Sequence, residues 1–169
     1  VTTAPRTRHR VWRFGPDIDT DALAPGHWMQ HGAEVIARHC LETVRPEFPA
    51  AVQPGDVVVA GANFGIGSSR EQAAAALRHL GVAAVVAPSF AGLFFRNAFN
   101  LGLLLLTCAE AESIVEGEQI LIDARAGRIV RASGQTLAAD PIPAFLLDMI
   151  DAGGLLPQLQ QRFPSRTTP

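Results

Sequence analysis

The 169-residue chain is 48% hydrophobic and 18% charged, which is enough apolar content for a buried core and excludes a disordered chain. A formal net charge of −2 excludes the basic footprint of a nucleic-acid binder, and the longest apolar run, Leu101 to Thr107, is far short of the roughly 20 residues a membrane span needs. Every basic residue is Arg, and Cys40 and Cys108 have neither metal-ligand nor redox-motif spacing, so a zinc finger, a thioredoxin-type site and a disulfide scaffold are excluded.

The chain reads as one domain over residues 1–169, with polar or proline-bearing ends at 1–8 and 163–169 expected to be flexible. Val1 to Arg13 carries Arg without an apolar segment behind it, unlike a secretory signal, and the expectation is a cytoplasmic protein. Val11–Phe14 is a candidate first strand, followed by a turn at Gly15-Pro16-Asp17. Ala33–Leu41 has helical character until Pro46 and Pro49 stop it. Asp56–Ala60, with Val57-Val58-Val59 at its centre, is a buried strand. A Gly-rich loop follows from Gly61 to Gly67, and then Ser69 to Leu80 places Ala73, Ala76, Leu77 and Leu80 at helical spacing, with Gly81 as the stop. Ala83–Ala87 is a strand, Ala91–Asn100 a helix and Leu103–Leu106 a third strand in a parallel α/β layer. Gln119–Asp123 and Arg128–Ala132 flank Ala126-Gly127 as an antiparallel hairpin. A helix over Pro141 to Ile150, a break at Gly153-Gly154 and a last short helix to about Arg162 complete a mixed α/β reading.

The segment Asn63-Phe64-Gly65-Ile66-Gly67-Ser68-Ser69-Arg70-Glu71-Gln72 joins a buried strand to a helix start. Unpaired amides and the helix dipole make such a junction an anion site. Gly65 and Gly67 let the backbone approach a ligand closely, and Arg70 suits a carboxylate. The plainer reading is that Ser68 or Ser69 only caps the helix, with Glu71 or Gln72 closing a capping box. A phosphate loop is a poor fit because the chain has no Lys. The dinucleotide fingerprint and the nucleophile elbow are absent too. A small carboxylate or similar anion is the ligand class that remains.

Gly67-Ser68-Ser69-Arg70-Glu71 behind Asn63-Phe64-Gly-x-Gly resembles the signature of the aconitase superfamily's swivelling domain. In particular it is similar to the free-standing small subunits of isopropylmalate dehydratase and homoaconitase-type hydro-lyases. Asp17-Ile18-Asp19-Thr20-Asp21-Ala22 through Pro25-Gly26 resembles the family's Asp-Thr-Asp segment. Ser89-Phe90-Ala91, Phe95-Arg96-Asn97-Ala98, Asn100-x-Gly102 and Gly153-Gly154-Leu155 agree in order, so the likeness spans roughly residues 11–162. It implies a single swivelling β/β/α domain: a mixed sheet, parallel at its centre and flanked by helices.

By this resemblance the chain is a hydro-lyase subunit, inactive without a large subunit. It would move water across a carbon–carbon double bond of a small di- or tricarboxylate. Ser68 would be the catalytic base, with Arg70 stabilising its alkoxide, and Gly67, Ser69 and Arg70 would hold a substrate carboxylate. Trp28, Met29, Gln30 and His31 would form the specificity loop, with Asp19, Thr20, Asn63 and Gly65 supporting the site. No metal site is expected on this chain: a cluster with an open iron takes about three thiolates, so the family's 4Fe–4S cluster is expected on the large subunit. Cys40 and Cys108 read as core residues.

Two departures from the family stand out. Gln72 replaces the His of the familiar Arg-Glu-His signature and can carry no acid/base role. Gln30 stands where archaeal-type members have Arg, a loss of about 1.5–3 kcal/mol per charged hydrogen bond that His27 or His31 would have to offset. Trp28 and Met29 form an apolar patch suited to the substituent of isopropylmalate, the first substrate choice. Homoaconitase-, dimethylmalate- and citraconate-type hydratases are the alternatives, and a non-catalytic small-carboxylate binding domain is the alternative of another class. The loops Pro25 to Gly32 and Gly61 to Gly67 are expected to be poorly ordered without the partner.

Overall fold

The three apolar runs and the strand before them become the parallel half of one sheet. The computed structural model describes residues 7–164, so most of the two expected flexible ends lies outside the described residues. Strands β1 (His9–Arg13), β2 (Val57–Val59), β3 (Ala84–Ala87) and β4 (Leu104–Thr107) lie parallel, and β5 (Gln119–Asp123) joins the other edge of β1 antiparallel. Strands β6 (Arg128–Val130) and β7 (Thr136–Ala138) extend it as an antiparallel meander, giving the seven-stranded order β4-β3-β2-β1-β5-β6-β7. This is the expected mixed sheet with a parallel centre.

Continuous apolar runs in the parallel strands follow from burial on both faces. The register Trp12–Val58–Val85–Leu105 points one set of side chains to the helical layer. The alternate set, Val57, Val59, Val86 and Leu106, packs with Ile114, Ile120, Ile129 and Leu137 around the meander. The helical layer holds α1 (Thr20–Leu23), α2 (Ala33–Ala37), α3 (Phe48–Ala51), α4 (Glu71–His79) and α5 (Gly92–Asn100). Helix α4 sits against α1, α2 and α5 and buries Ala73, Ala74, Ala76 and Leu77.

Helices α6 (Ala144–Ala152) and α7 (Leu155–Arg162) close on α5. A Cβ on Gly154 would sit 2.6 Å from the Asn100 carbonyl oxygen, and one on Gly102 would sit 2.7 Å from the Gly153 carbonyl. The glycines of two motifs far apart in sequence therefore pack backbone on backbone.

Several boundaries differ from expectation. β1 starts at His9, α6 starts at Ala144 and ends at Ala152, and α2 gives way after Ala37 to irregular turns in which Leu41 takes φ +61°. β7, α1, α3 and short 3-10 turns at Gly26–Trp28 and Ala111–Ser113 are additional.

One buried carboxylate fixes β1 on β2. Asp56 accepts from Arg10 Nη2 (2.6 Å), Trp12 Nε1 (2.8 Å) and the Gln53 amide (2.9 Å). Burial pushes its pKa up, but Arg10, the amide and the indole outweigh that and hold it below the usual carboxylate range.

Candidate active site

The Gly61–Gly67 loop runs between two other segments and bonds to both through its backbone. On one side Gly61 N donates to Gly15 O (3.1 Å), Asp17 N to Ala62 O (2.8 Å), Gly65 N to Ile18 O (2.7 Å) and Thr20 N to Ile66 O (2.8 Å). On the other, Phe64 N donates to Ser89 O (3.1 Å) and Ala91 N to Phe64 O (2.9 Å). Asn63, at φ +63°, donates its amide to Ser89 Oγ and its side-chain Nδ2 to Asp17 Oδ1, both at 2.9 Å. Gly65 has φ +83°, and a Cβ there would overlap the Phe94 ring. Any other residue would be strained and in collision at once.

The loop delivers Gly67, Ser68 and Ser69 to solvent just before α4. A Cβ on Gly67 would lie 3.1 Å from the hydroxyl of Thr20, which is itself buried. Asp19 caps α1, its Oδ1 accepting from Ala22 N at 2.7 Å. The helix-cap reading of the serines does not hold. The N-cap of α4 is Arg70, in extended conformation and without a side-chain cap bond. Neither serine hydroxyl is bonded among the described residues, and the amides of Ser69, Glu71 and Gln72 find no acceptor there. Unpaired donors at the positive end of a nine-residue helix, beside two exposed hydroxyls, suit an anion.

Arg70 uses one nitrogen for structure. Its Nη1 donates to Asp21 Oδ1 (2.9 Å) and Ala24 O (3.0 Å), and Gly26 N donates to the same Asp21 oxygen at 3.0 Å. Nε and Nη2 make no hydrogen bond among the described residues. The Arg70 hydrogen bond, helped by the Gly26 amide, holds the Asp21 carboxyl below its ordinary pKa. Sequence reading placed Asp21 in a motif but missed this contact, because nothing in local spacing pairs it with a residue 49 positions away.

The Trp28–His31 segment turns to other partners. Trp28 and Met29 are half-buried against the helical-layer core, while Gln30 and His31 are exposed. His27 meets the Trp28 ring edge-on at 5.0 Å and His31 lies tilted at 5.5 Å. Below the indole, His39 stacks face to face with ring centroids 3.9 Å apart and planes 5° from parallel. Sequence reading did not single out His39. Gln72 is exposed on the first turn of α4.

The thiols do not fit an iron–sulfur cluster. Cys40 and Cys108 are both fully buried, in the cores on opposite faces of the sheet, and burial raises both pKa values. Among the described residues no three His, Cys, Asp or Glu side chains gather as a metal site, and no helix is long and apolar enough to cross a membrane.

Comparison with known proteins gives the family and the fold. Residues 32–111 match the aconitase C-terminal domain family. The chain is 46% identical over 149 residues to the 3-isopropylmalate dehydratase small subunit of Sulfurimonas denitrificans, covering 87% of this chain and 89% of that protein. It is 46% identical over 156 residues to the protein of the same name in Heliobacterium modesticaldum, covering 90% and 94%. A solved structure of 3-isopropylmalate dehydratase (leuD) from Methanocaldococcus jannaschii superposes with a TM-score of 0.86 at 38% identity, covering 92% of this chain and 93% of the other.

Proposed function

The chain belongs to the family of 3-isopropylmalate dehydratase small subunits, and from that premise we propose that it is the small subunit of a heteromeric cytoplasmic hydro-lyase. Its reaction is the interconversion of 2- and 3-isopropylmalate by dehydration and rehydration, in leucine biosynthesis. The observation that carries this reading is the free, exposed Ser68 hydroxyl at the start of α4, beside an Arg70 with two uncommitted nitrogens.

Dehydration removes a proton from the carbon beside a carboxylate while the neighbouring carbon loses hydroxide. Ser68 takes that proton as an alkoxide, and the C–H electron pair becomes the double bond. A serine alkoxide is unstable in neutral water. At the head of α4 it gains the helix dipole, unpaired amides and the Arg70 charge. Arg70 Nε and Nη2 grip the adjacent carboxylate, which carries part of the developing charge, while Ser69 and the Gly67 backbone complete that grip. In rehydration the same serine returns the proton. This chain's buried thiols are in no position to hold a 4Fe–4S cluster; carried by the large subunit, such a cluster would supply the Lewis acidity that the departing hydroxide needs. Trp28 and Met29 provide the apolar wall for the isopropyl group.

Gln30 favours a second reading. It is exposed and uncharged, so a homoaconitase-, dimethylmalate- or citraconate-type substrate would meet the same catalytic serine under different loop contacts.

The test is anaerobic reconstitution with the host's large subunit, followed by hydration assays. The wild-type complex is expected to act on isopropylmalate. Ser68→Ala is expected to lose about 10²–10⁴-fold in kcat, the usual worth of a general base, while still binding the large subunit. Near-native turnover by Ser68→Ala would remove the base assignment, and preference for another dicarboxylate would move the substrate. Absence of any large partner would favour the non-catalytic binding domain.

A further inference from the structure

We infer that His39 is a positioning residue for substrate specificity: by stacking under Trp28 it sets the apolar wall that receives the isopropyl group. The inference rests on the functional reading above, in which Trp28 meets that group.

Apart from the packing of Trp28 and Met29 on the helical-layer core, few contacts hold the segment around Trp28. Its backbone bonds, Trp28 N to Pro25 O, Met29 N to Gly26 O and His31 N to Trp28 O, all stay within the segment. Gly26 N bonds outward to Asp21. The angle of the indole is therefore decided by the surface it lies on. Beside the core edge, the flat face of that surface is the imidazole of His39, parallel to within 5° at 3.9 Å.

His39 is itself fixed. Its Nδ1 lies 2.8 Å from Glu42 Oε2, which selects the tautomer with a proton on Nδ1 and sets the ring plane. Its backbone N donates to Ile36 O at 3.0 Å. The next two residues, Cys40 and Leu41, are fully buried, and Leu41 N donates to Ala22 O at 2.7 Å. Ala22 follows Asp21, which holds Arg70. The apolar wall and the carboxylate grip are thus both referred to α1. Trp28 reaches it through His39 and Leu41, and Arg70 reaches it through Asp21. A dicarboxylate with one apolar branch needs those two features at a set separation, which this frame supplies.

The experiment uses the reconstituted two-subunit enzyme with 3-isopropylmalate as substrate and malate, which keeps both carboxylates but lacks the isopropyl branch, as competitive inhibitor. His39→Ala is expected to raise KM for isopropylmalate about three- to tenfold, the range of one aromatic stack. Its kcat should stay within about twofold and the malate Ki should be unchanged. His39→Phe, which keeps the stack, should restore KM. If His39→Ala does not assemble, Glu42→Ala loosens the same ring and should raise KM about twofold. An unchanged KM, an equal rise in KM and malate Ki, or a kcat loss that Phe does not repair would overturn the inference. Wild-type turnover of isopropylmalate is read first. Its absence would overturn the substrate reading and this inference with it, whereas an active wild type with an indifferent His39→Ala overturns the inference alone.

Discussion

The Gly61–Gly67 loop and the Pro25–Gly32 segment meet near Arg70 but are held by different chemistry. The first is sewn on both sides by backbone bonds to Gly15–Thr20 and Ser89–Ala91, and its shape depends on Gly65 fitting against Phe94. The second is tied by side chains: Asp21 to the Gly26 amide, and the Trp28 indole on His39. Backbone bonds survive most substitutions, whereas side-chain ties change with each residue. A catalytic group needs a fixed position, and a specificity loop needs replaceable walls. In the proposed reaction the serines sit on the first kind of support, and the residues assigned to the substrate's branch on the second.

The largest effect that would break this contrast is a single added methyl group. Gly65→Ala forces a Cβ into the Phe94 ring at φ +83° and is expected to cost roughly 2–4 kcal/mol, combining overpacking and left-handed strain. In the other segment, Gly32 has nothing within 4 Å of its would-be Cβ and an ordinary backbone. Gly32→Ala should therefore cost no more than about 1 kcal/mol, the value of a changed helix cap. Thermal denaturation of the two variants measures both. Equal effects would mean that the Gly-rich loop is not the more constrained of the two.

The parallel half of the sheet was legible because burial on both faces writes itself as Val57-Val58-Val59 and Ala84–Ala87. The meander's third strand, β7, was not, since Leu137 is its only buried residue and three residues carry no period. The four-residue α1 and α3 are too short for a helical repeat. Ser68 and Arg70 could be singled out as candidates because they stand two positions apart in one motif. Asp21 and His39 could not be assigned, because their partners come from loop closure: Asp21 to Arg70 across 49 positions, and His39 to Trp28 through the irregular turns after α2. Only folded geometry distinguishes a bonded carboxylate from an idle one. The cap reading of the serines was a reasonable local inference, and it failed because Arg70 takes the N-cap position.

A smaller effect sharpens the contrast from the side-chain-held segment. Asp21→Asn keeps an acceptor but removes the charge beside Arg70, so KM for isopropylmalate should rise about two- to fivefold, the scale of one exposed ion pair. The pH dependence has a definite sign. Asp21's folded pKa is lowered, chiefly by Arg70. Its contribution to stability is therefore complete above the unfolded carboxylate value of about 4. It is lost as pH falls through the lower folded value. The Tm gap between wild type and Asp21→Asn should be flat from about pH 5 to 8 and should shrink below about pH 4. A gap that grows in acid would contradict the assignment of charge to this contact.

The smallest effect is one of rate, in the isolated subunit. Sequence alone groups both loops as mobile, but their bonding separates them. The amides of Phe64, Gly65 and Thr20 donate to carbonyls on neighbouring segments, so each opens only when two segments part. The amides of Trp28, Met29 and His31 donate only within their own turn, and those of Ser69, Glu71 and Gln72 have no acceptor among the described residues. Hydrogen exchange should thus be slowest at Phe64, Gly65 and Thr20, faster at Trp28, Met29 and His31, and fastest at Ser69, Glu71 and Gln72. Adding the large subunit should slow the last two groups and leave the first unchanged, because only those groups lack a fixed support. If Phe64 and Gly65 instead exchanged as fast as Met29 until the partner was added, the catalytic loop would owe its shape to the large subunit. The backbone stitching would then be a consequence of assembly rather than a preparation for it.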